Sequence, residues 1–254
     1  MIEAKDLRVT FKGKEVINTT FSTEGKCLLL GPNGSGKTTL LRAIAGVIPY
    51  KGSVSIDGQE VRNMRNMVYV STNLPEAFTL GITMKDVIDL YSEIKDLDQS
   101  LLMGKLKDVG IDDLSKKVHE LSTGQSILFR TAIATSTNSK LILIDEPFEN
   151  VDLSKRKKVA IWIKESGEEG LVVTHELEMI HMFEDFRVLL ILDGRTFGPV
   201  KAKDLISSVL VEGVDPSSVL TVEAYGRKFS FVKNREGIKV ADSDSLERIF
   251  SRYL

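Results

Sequence analysis

The chain has 254 residues, 42% of them apolar and 28% charged, which is ample for a large core in one domain or two lobes and ordinary for a globular protein. A net charge of −2 argues against general electrostatic capture of nucleic acid, and a single cysteine, Cys27, excludes an intrachain disulfide and fits a reducing setting. The N-terminal MIEAKDLRVTF has no apolar stretch of a secretory signal and no apolar run approaches the ~20 residues that cross a bilayer, so any membrane role is expected to come through a partner.

Residues 1–25 alternate loosely between apolar and polar and predict two or three strands. The run 27–30 predicts a buried strand entering a glycine loop, with a helix over 38–46. Val54 and Ile56, the turn Asp57-Gly58 and Val61 predict a hairpin, and Met67–Val70 another buried strand. From about residue 73 the period becomes helical: Thr83 with Asp86 resembles a capping box ahead of Val87, Ile88, Tyr91 and Ile94. Further helices are expected around Leu101–Leu106 and over 123–137.

Strands at 141–145, 171–174 and 187–192 then alternate with helices at about 154–166 and 176–185, which implies a largely parallel sheet covered on both faces. Asp193-Gly194 predicts another hairpin turn, and 200–254 a small mixed tail with strands near 219–223 and 228–232 and a helix near 243–252. The organisation expected is a core with a β subdomain over 1–72 and 141–199, a helical subdomain over 73–140, and a C-terminal extension over 200–254.

Gly31-Pro32-Asn33-Gly34-Ser35-Gly36-Lys37-Thr38-Thr39 matches G-x-x-x-x-G-K-[ST] between an apolar strand and a helix. Its glycines let backbone N–H groups close on phosphate oxygens, and the following helix aims its positive end at the same anion. Lys37 is placed to bridge the β- and γ-phosphates and Thr38 to hold Mg²⁺. The strand Leu141–Ile144 ends in Asp145 and Glu146; Asp145 is a candidate for Mg²⁺, and Glu146 for orienting or deprotonating the attacking water. Ser122-Thr123-Gly124-Gln125, opening a helix, reads either as a second anion site or as an ordinary cap.

A phosphate loop, then LSTGQ, then four apolar residues with Asp-Glu, then His175 after a strand, is the order seen in ABC-type ATPases, and the chain resembles that family over about residues 1–200. LSTGQ is similar to the family signature LSGGQ; Gln125 precedes Asp145 by 20 positions and Asp145 precedes His175 by 30, near the family spacing. The resemblance implies a P-loop NTPase fold of α/β class, with a mostly parallel sheet, an N-terminal antiparallel β subdomain and an inserted all-helical subdomain. It also implies that Phe11 stacks on adenine, that His175 is the switch histidine, and that Ser122, Gly124 and Gln125 act on the nucleotide of an opposing subunit. His119 and His181 match no motif and are taken as structural.

Two departures stand out. Where the family has a glutamine that helps bind Mg²⁺ and reports to the transport partner, Thr72 falls at the position and Asn73 follows, either of which offers a shorter oxygen ligand. The arginine usual after the signature is displaced, with Leu128 near its place and Arg130 two positions on. The function expected is Mg²⁺-dependent ATP hydrolysis coupled to transport. The chain would form a homodimer or pseudo-symmetric dimer on ATP binding and bind a separate transmembrane permease, with no covalent anchor, at the cytoplasmic face of the cell membrane.

Leu74, Phe78 and Leu80 are read either as a docking surface for that partner or as packing against the helical lobe. The alternatives are a soluble ABC-type ATPase acting on nucleic acid or ribosomes, hinted at only by Lys155-Arg156-Lys157-Lys158, and a nucleotide-dependent module with little hydrolysis.

Overall fold

The computed structural model describes residues 1–64, 68–79 and 82–253 and divides them into two units, Met1–Arg62 with Val173–Leu254, and Asn63–Val172. The first unit opens with a long antiparallel hairpin, β1 (Ile2–Phe11) and β2 (Lys14–Thr23), the lower of the two strand numbers expected. The strand β3 (Lys26–Leu30) follows, buried from Cys27 to Leu30, and runs through the glycine loop into α1 (Lys37–Ile44). Next come β4 (Lys51–Ile56) and β5 (Gln59–Glu60), turning at Asp57-Gly58 with both φ positive; that is the turn geometry whose twist matches its flanking strands. The order β2-β1-β4-β5 forms the antiparallel sheet.

The second unit begins with β6 (Val70–Thr72), three residues later than the expected start at Met67, which lies outside the described residues. A 3₁₀ turn at Pro75–Phe78 leads to α2 (Met84–Ile94), whose N-terminus carries the predicted capping box between Thr83 and Asp86. The helices α3 (Gln99–Asp108) and α4 (Thr123–Ala134) follow, then β7 (Leu141–Asp145), α5 (Leu153–Glu165) and β8 (Glu169–Thr174). The strands β8, β7 and β6 lie side by side in that order, β6 parallel to β7 with Thr72 opposite Leu143. Phe129 and Phe148 are fully buried in this unit, and each such ring contributes roughly 1.5–3 kcal/mol of burial.

Beyond β8 the chain returns to the first unit. The helix expected at 176–185 is a 3₁₀ segment, Leu177–Phe183, closed by i to i+3 bonds such as Met179 N–H to Glu176 O at 3.2 Å. The strands β9 (Arg187–Leu192) and β10 (Arg195–Lys201) form a hairpin through Asp193-Gly194, and β9 runs parallel to β3. The tail then forms α6 (Ala202–Ile206), the antiparallel strands β11 (Val209–Glu212), β12 (Ser218–Ala224) and β13 (Arg227–Val232) in the order β11-β13-β12, and α7 (Leu246–Phe250). Phe250 of α7 meets Phe229 of β13 edge-on at 5.3 Å, which seats the helix on the sheet. Parallel β3–β9 and β6–β7, an antiparallel N-terminal sheet and, among the described residues, only helical named elements between β6 and β7 make this the P-loop NTPase fold expected.

Candidate functional site

In the first unit the phosphate loop leaves β3 at Gly31, where an added Cβ would lie 2.3 Å from the Ile191 carbonyl oxygen. Gly34 and Gly36 take φ of +78° and +104°, conformations that L side chains rarely adopt. Below the loop, Gly194 N–H donates to Ser35 O at 3.1 Å, so the β9–β10 turn braces it. Gly36 begins α1 without a side-chain cap, leaving the first helical N–H groups to an outside acceptor. The Ser35 hydroxyl is buried with no hydrogen-bond partner among the described residues, as suits a donor awaiting a phosphate oxygen.

Lys37 is 6% exposed, and its ammonium donates to the carbonyl oxygens of Gly31 at 2.9 Å and Pro32 at 3.1 Å. The positive charge is therefore folded back over the loop rather than extended into solvent. Thr38 and Thr39 are half-buried in the first turn of α1, and Asn33 is exposed, its N–H donating to a Glu247 carboxylate oxygen at 2.7 Å. Phe11, at the end of β1, is 47% exposed, so it is a free aromatic face and not a core ring. His175 directly follows the last residue of β8 and is half-buried; Glu176 N–H donates to Thr174 Oγ1 at 3.2 Å and Leu177 N–H to Asp244 O at 3.3 Å, fixing the turn that carries the imidazole.

In the second unit β7 is buried through Ile144 and delivers Asp145 and Glu146, both half-buried, at its C-terminal end. Glu146 has φ +40°, an uncommon backbone state for a side-chain-bearing residue and one that recurs at functional sites. Thr72 Oγ1 accepts from Leu74 N–H at 3.2 Å, which uses one lone pair in a turn and leaves the other. Asn73 is 2% exposed and binds the Asp145 main chain with both ends of its amide, so it is not the spare oxygen ligand that its position suggested. Arg130 is half-buried; burial holds its guanidinium below the ordinary value, opposed by the Asp145 and Glu76 carboxylates. Leu128 is a 3%-exposed core residue, whereas Arg130, two positions on, feels the charges of Asp145 and Glu76.

Ser122 caps α4: its Oγ accepts from Gln125 N–H at 3.2 Å while Gln125 Oε1 accepts from Ser122 N–H at 3.1 Å. Gly124 has a reason within its own chain, since a Cβ there would fall 2.3 Å from Asn150 O. Leu74 and Phe78 are buried, Phe78 stacked on Tyr91 at 5.1 Å, so both pack against the helical lobe; Leu80 lies outside the described residues. The exposed apolar residue here is Ile82, at 68%, on the rim of an open groove of about 410 Å³ shared with Pro75, Val118, His119 and Arg130. Within the basic run 155–158 of α5, three side chains are engaged by the protein itself: Lys155 with Asp152 at 3.3 Å, Arg156 with Val151 O at 2.8 Å and Lys158 with Asp108 O at 2.5 Å. Glu247 carried no motif, and its partner Asn33 is 214 positions away, so no local pattern pointed to it.

A phosphate loop of this build, with an acid pair closing a buried strand, defines the class as a P-loop ATPase. The ABC transporter family profile matches residues 15–149, more than half of the chain. The manganese transport system ATP-binding protein MntB of Bacillus subtilis is 28% identical over 92% of this chain and 96% of its own. The hemin import ATP-binding protein HmuV of Rhizobium etli is 30% identical over 77% of this chain and 83% of its own. A solved chain named as a cobalt transport ATP-binding protein (cbiO-2) is 40% identical, with a TM-score of 0.93 over 99% of both chains. A bacterial ABC transporter cassette solved as a dimer, 23% identical, shares the fold with a TM-score of 0.67 over 80% of this chain and 99% of its own. The chain belongs to the ABC transporter family, and it is an ATP-binding and ATP-hydrolysing member.

Proposed function

We propose that the chain drives import through a separate membrane-embedded permease that seats on the groove of the second unit. The groove carries this reading: an exposed isoleucine, Ile82, beside the cationic Arg130 and the imidazole of His119 forms a surface suited to an amphipathic partner segment. The relatives matched over most of this chain are named as ATP-binding proteins of transport or import systems, and their cargoes differ, as expected if the cargo is selected by the partner. On this reading the chain sits at the cytoplasmic face of the membrane through its contact with the permease.

Two copies, or this chain and a similar one, close around two ATP molecules. In each copy Phe11 stacks on adenine, and the loop Gly31–Thr39 (Gly31, Pro32, Asn33, Gly34, Ser35, Gly36, Lys37, Thr38, Thr39) takes the phosphates. The Ser122, Gly124 and Gln125 segment faces the nucleotide bound by the other copy. The Thr38 hydroxyl and Asp145 carboxylate are hard oxygen donors of the kind Mg²⁺ takes, with Thr72 as a further oxygen. When bound, Mg²⁺ neutralises charge on the β- and γ-phosphates. Glu146 orients and deprotonates the attacking water, and His175 donates to the γ-phosphate. Loss of that phosphate removes the anion that both copies share and lets them part.

The test is a gentle pull-down of the tagged protein from its native membranes. A polytopic membrane protein in near-equal amount supports the reading; recovery only in the soluble fraction, with ribosomes or nucleic acid, contradicts it.

A further inference from the structure

We propose that Asn73 is a positioning residue for ATP hydrolysis, acting by locking the peptide of Asp145. The main-chain pairing of β6 with β7 is recorded up to Thr72 and Leu143, and the side chain of the next residue, Asn73, continues it. Its Oδ1 accepts from Asp145 N–H at 2.7 Å, and its Nδ2 donates to Asp145 O at 2.9 Å and to Thr131 Oγ1 of α4 at 3.1 Å. A carboxamide is the side chain that accepts from an N–H and donates to a C=O of the same residue, and these partners fix which end is oxygen. Glutamine, one methylene longer, overshoots this grip; aspartate can accept but has no N–H for the Asp145 carbonyl oxygen, so two acceptors would face each other.

The grip sits where placement matters most. Asp145 precedes Glu146 at φ +40°, a backbone state that persists only where the surroundings over-determine it. Buried at 2% exposed with both amide ends turned to the Asp145 main chain, Asn73 does not face a metal; it holds the backbone of the residue whose carboxylate would. Groups that orient a metal ligand in this way typically control metal affinity or activity 10–100-fold, by about that factor when removed. The inference rests on the reading of Asp145 as the carboxylate facing Mg²⁺.

The experiment uses the full chain with Asn73→Ala, Asn73→Asp and, as a milder cut, Thr131→Val, which removes the hydroxyl that holds the amide. ATP affinity is measured at equilibrium with EDTA and across a Mg²⁺ titration, alongside kcat, with thermal melting to follow folding. The expected result is ATP affinity in EDTA within about twofold of the parent, a Mg²⁺ half-saturation point raised about 10-fold or more, and kcat lowered about 10–100-fold, with Thr131→Val shifted the same way by less. Folded variants with unchanged Mg²⁺ half-saturation overturn the proposal, as does Thr131→Val matching the parent if the Asn73 variants do not fold. A parent whose ATP binding ignores Mg²⁺ overturns both this proposal and the metal reading beneath it; a Mg²⁺-dependent parent with unchanged variants overturns this proposal alone.

Discussion

The amide of Asn33 in the phosphate loop donates a 2.7 Å hydrogen bond to the carboxylate of Glu247, joining the nucleotide loop to the C-terminal extension. The grip is anchored, because α7 packs Phe250 on Phe229 and Tyr253 OH donates to Leu210 O at 2.6 Å. A phosphate and a carboxylate compete for one N–H donor and repel each other as anions. Glu247→Ala is therefore expected to tighten ATP binding about two- to fivefold, the range of an exposed charge contact, with Glu247→Gln in between. Titration calorimetry checks it, and unchanged or weaker binding contradicts it.

The lysine inside the second unit makes stability depend on pH. Lys105 is 6% exposed, and its ammonium donates to Thr135 O at 2.6 Å and Thr135 Oγ1 at 3.0 Å. Burial pulls its pKa to about 8 from an ordinary 10.5, opposed by Glu165 and Asp98. Between those values the unfolded chain holds more protons than the folded one, so stability rises with pH across that window and this group adds no slope below it. Urea melts are expected to show a gain of about 2 kcal/mol from pH 8 to 10 that Lys105→Met abolishes. Equal slopes in the two proteins would contradict the assignment.

The parts of the site that were legible in sequence are those whose chemistry is local. The phosphate loop needs glycine at set offsets between a strand and a helix, and the Thr83–Asp86 box needs two residues three apart. The turns Asp57-Gly58 and Asp193-Gly194 likewise announce themselves. What was not legible is set by distant partners. Asn73 looked like a spare oxygen ligand because nothing nearby shows that its amide is taken by Asp145, 72 positions on. Phe78 read equally as a docking residue or as packing, and only its stacking on Tyr91, 13 positions on, decides for packing and leaves Ile82 exposed. The Asp193-Gly194 hairpin turn implied a return strand, but the extent of β10 went unread because Gly198-Pro199 interrupts its pattern, and β11 was missed because four residues carry too little periodicity.

In the proposed mechanism Glu146, at the end of β7, acts on the attacking water, and ATP holds two copies together until it is cleaved. Glu146→Gln keeps the shape and removes the base. Hydrolysis is expected to fall by about 10²–10⁴-fold while ATP binding persists. Light scattering of that variant in ATP and Mg²⁺ is the most direct test. The expected result is a dimer that returns to monomer when ATP is withdrawn; a variant that stays monomeric with ATP bound, or that hydrolyses at the parent rate, rules the mechanism out.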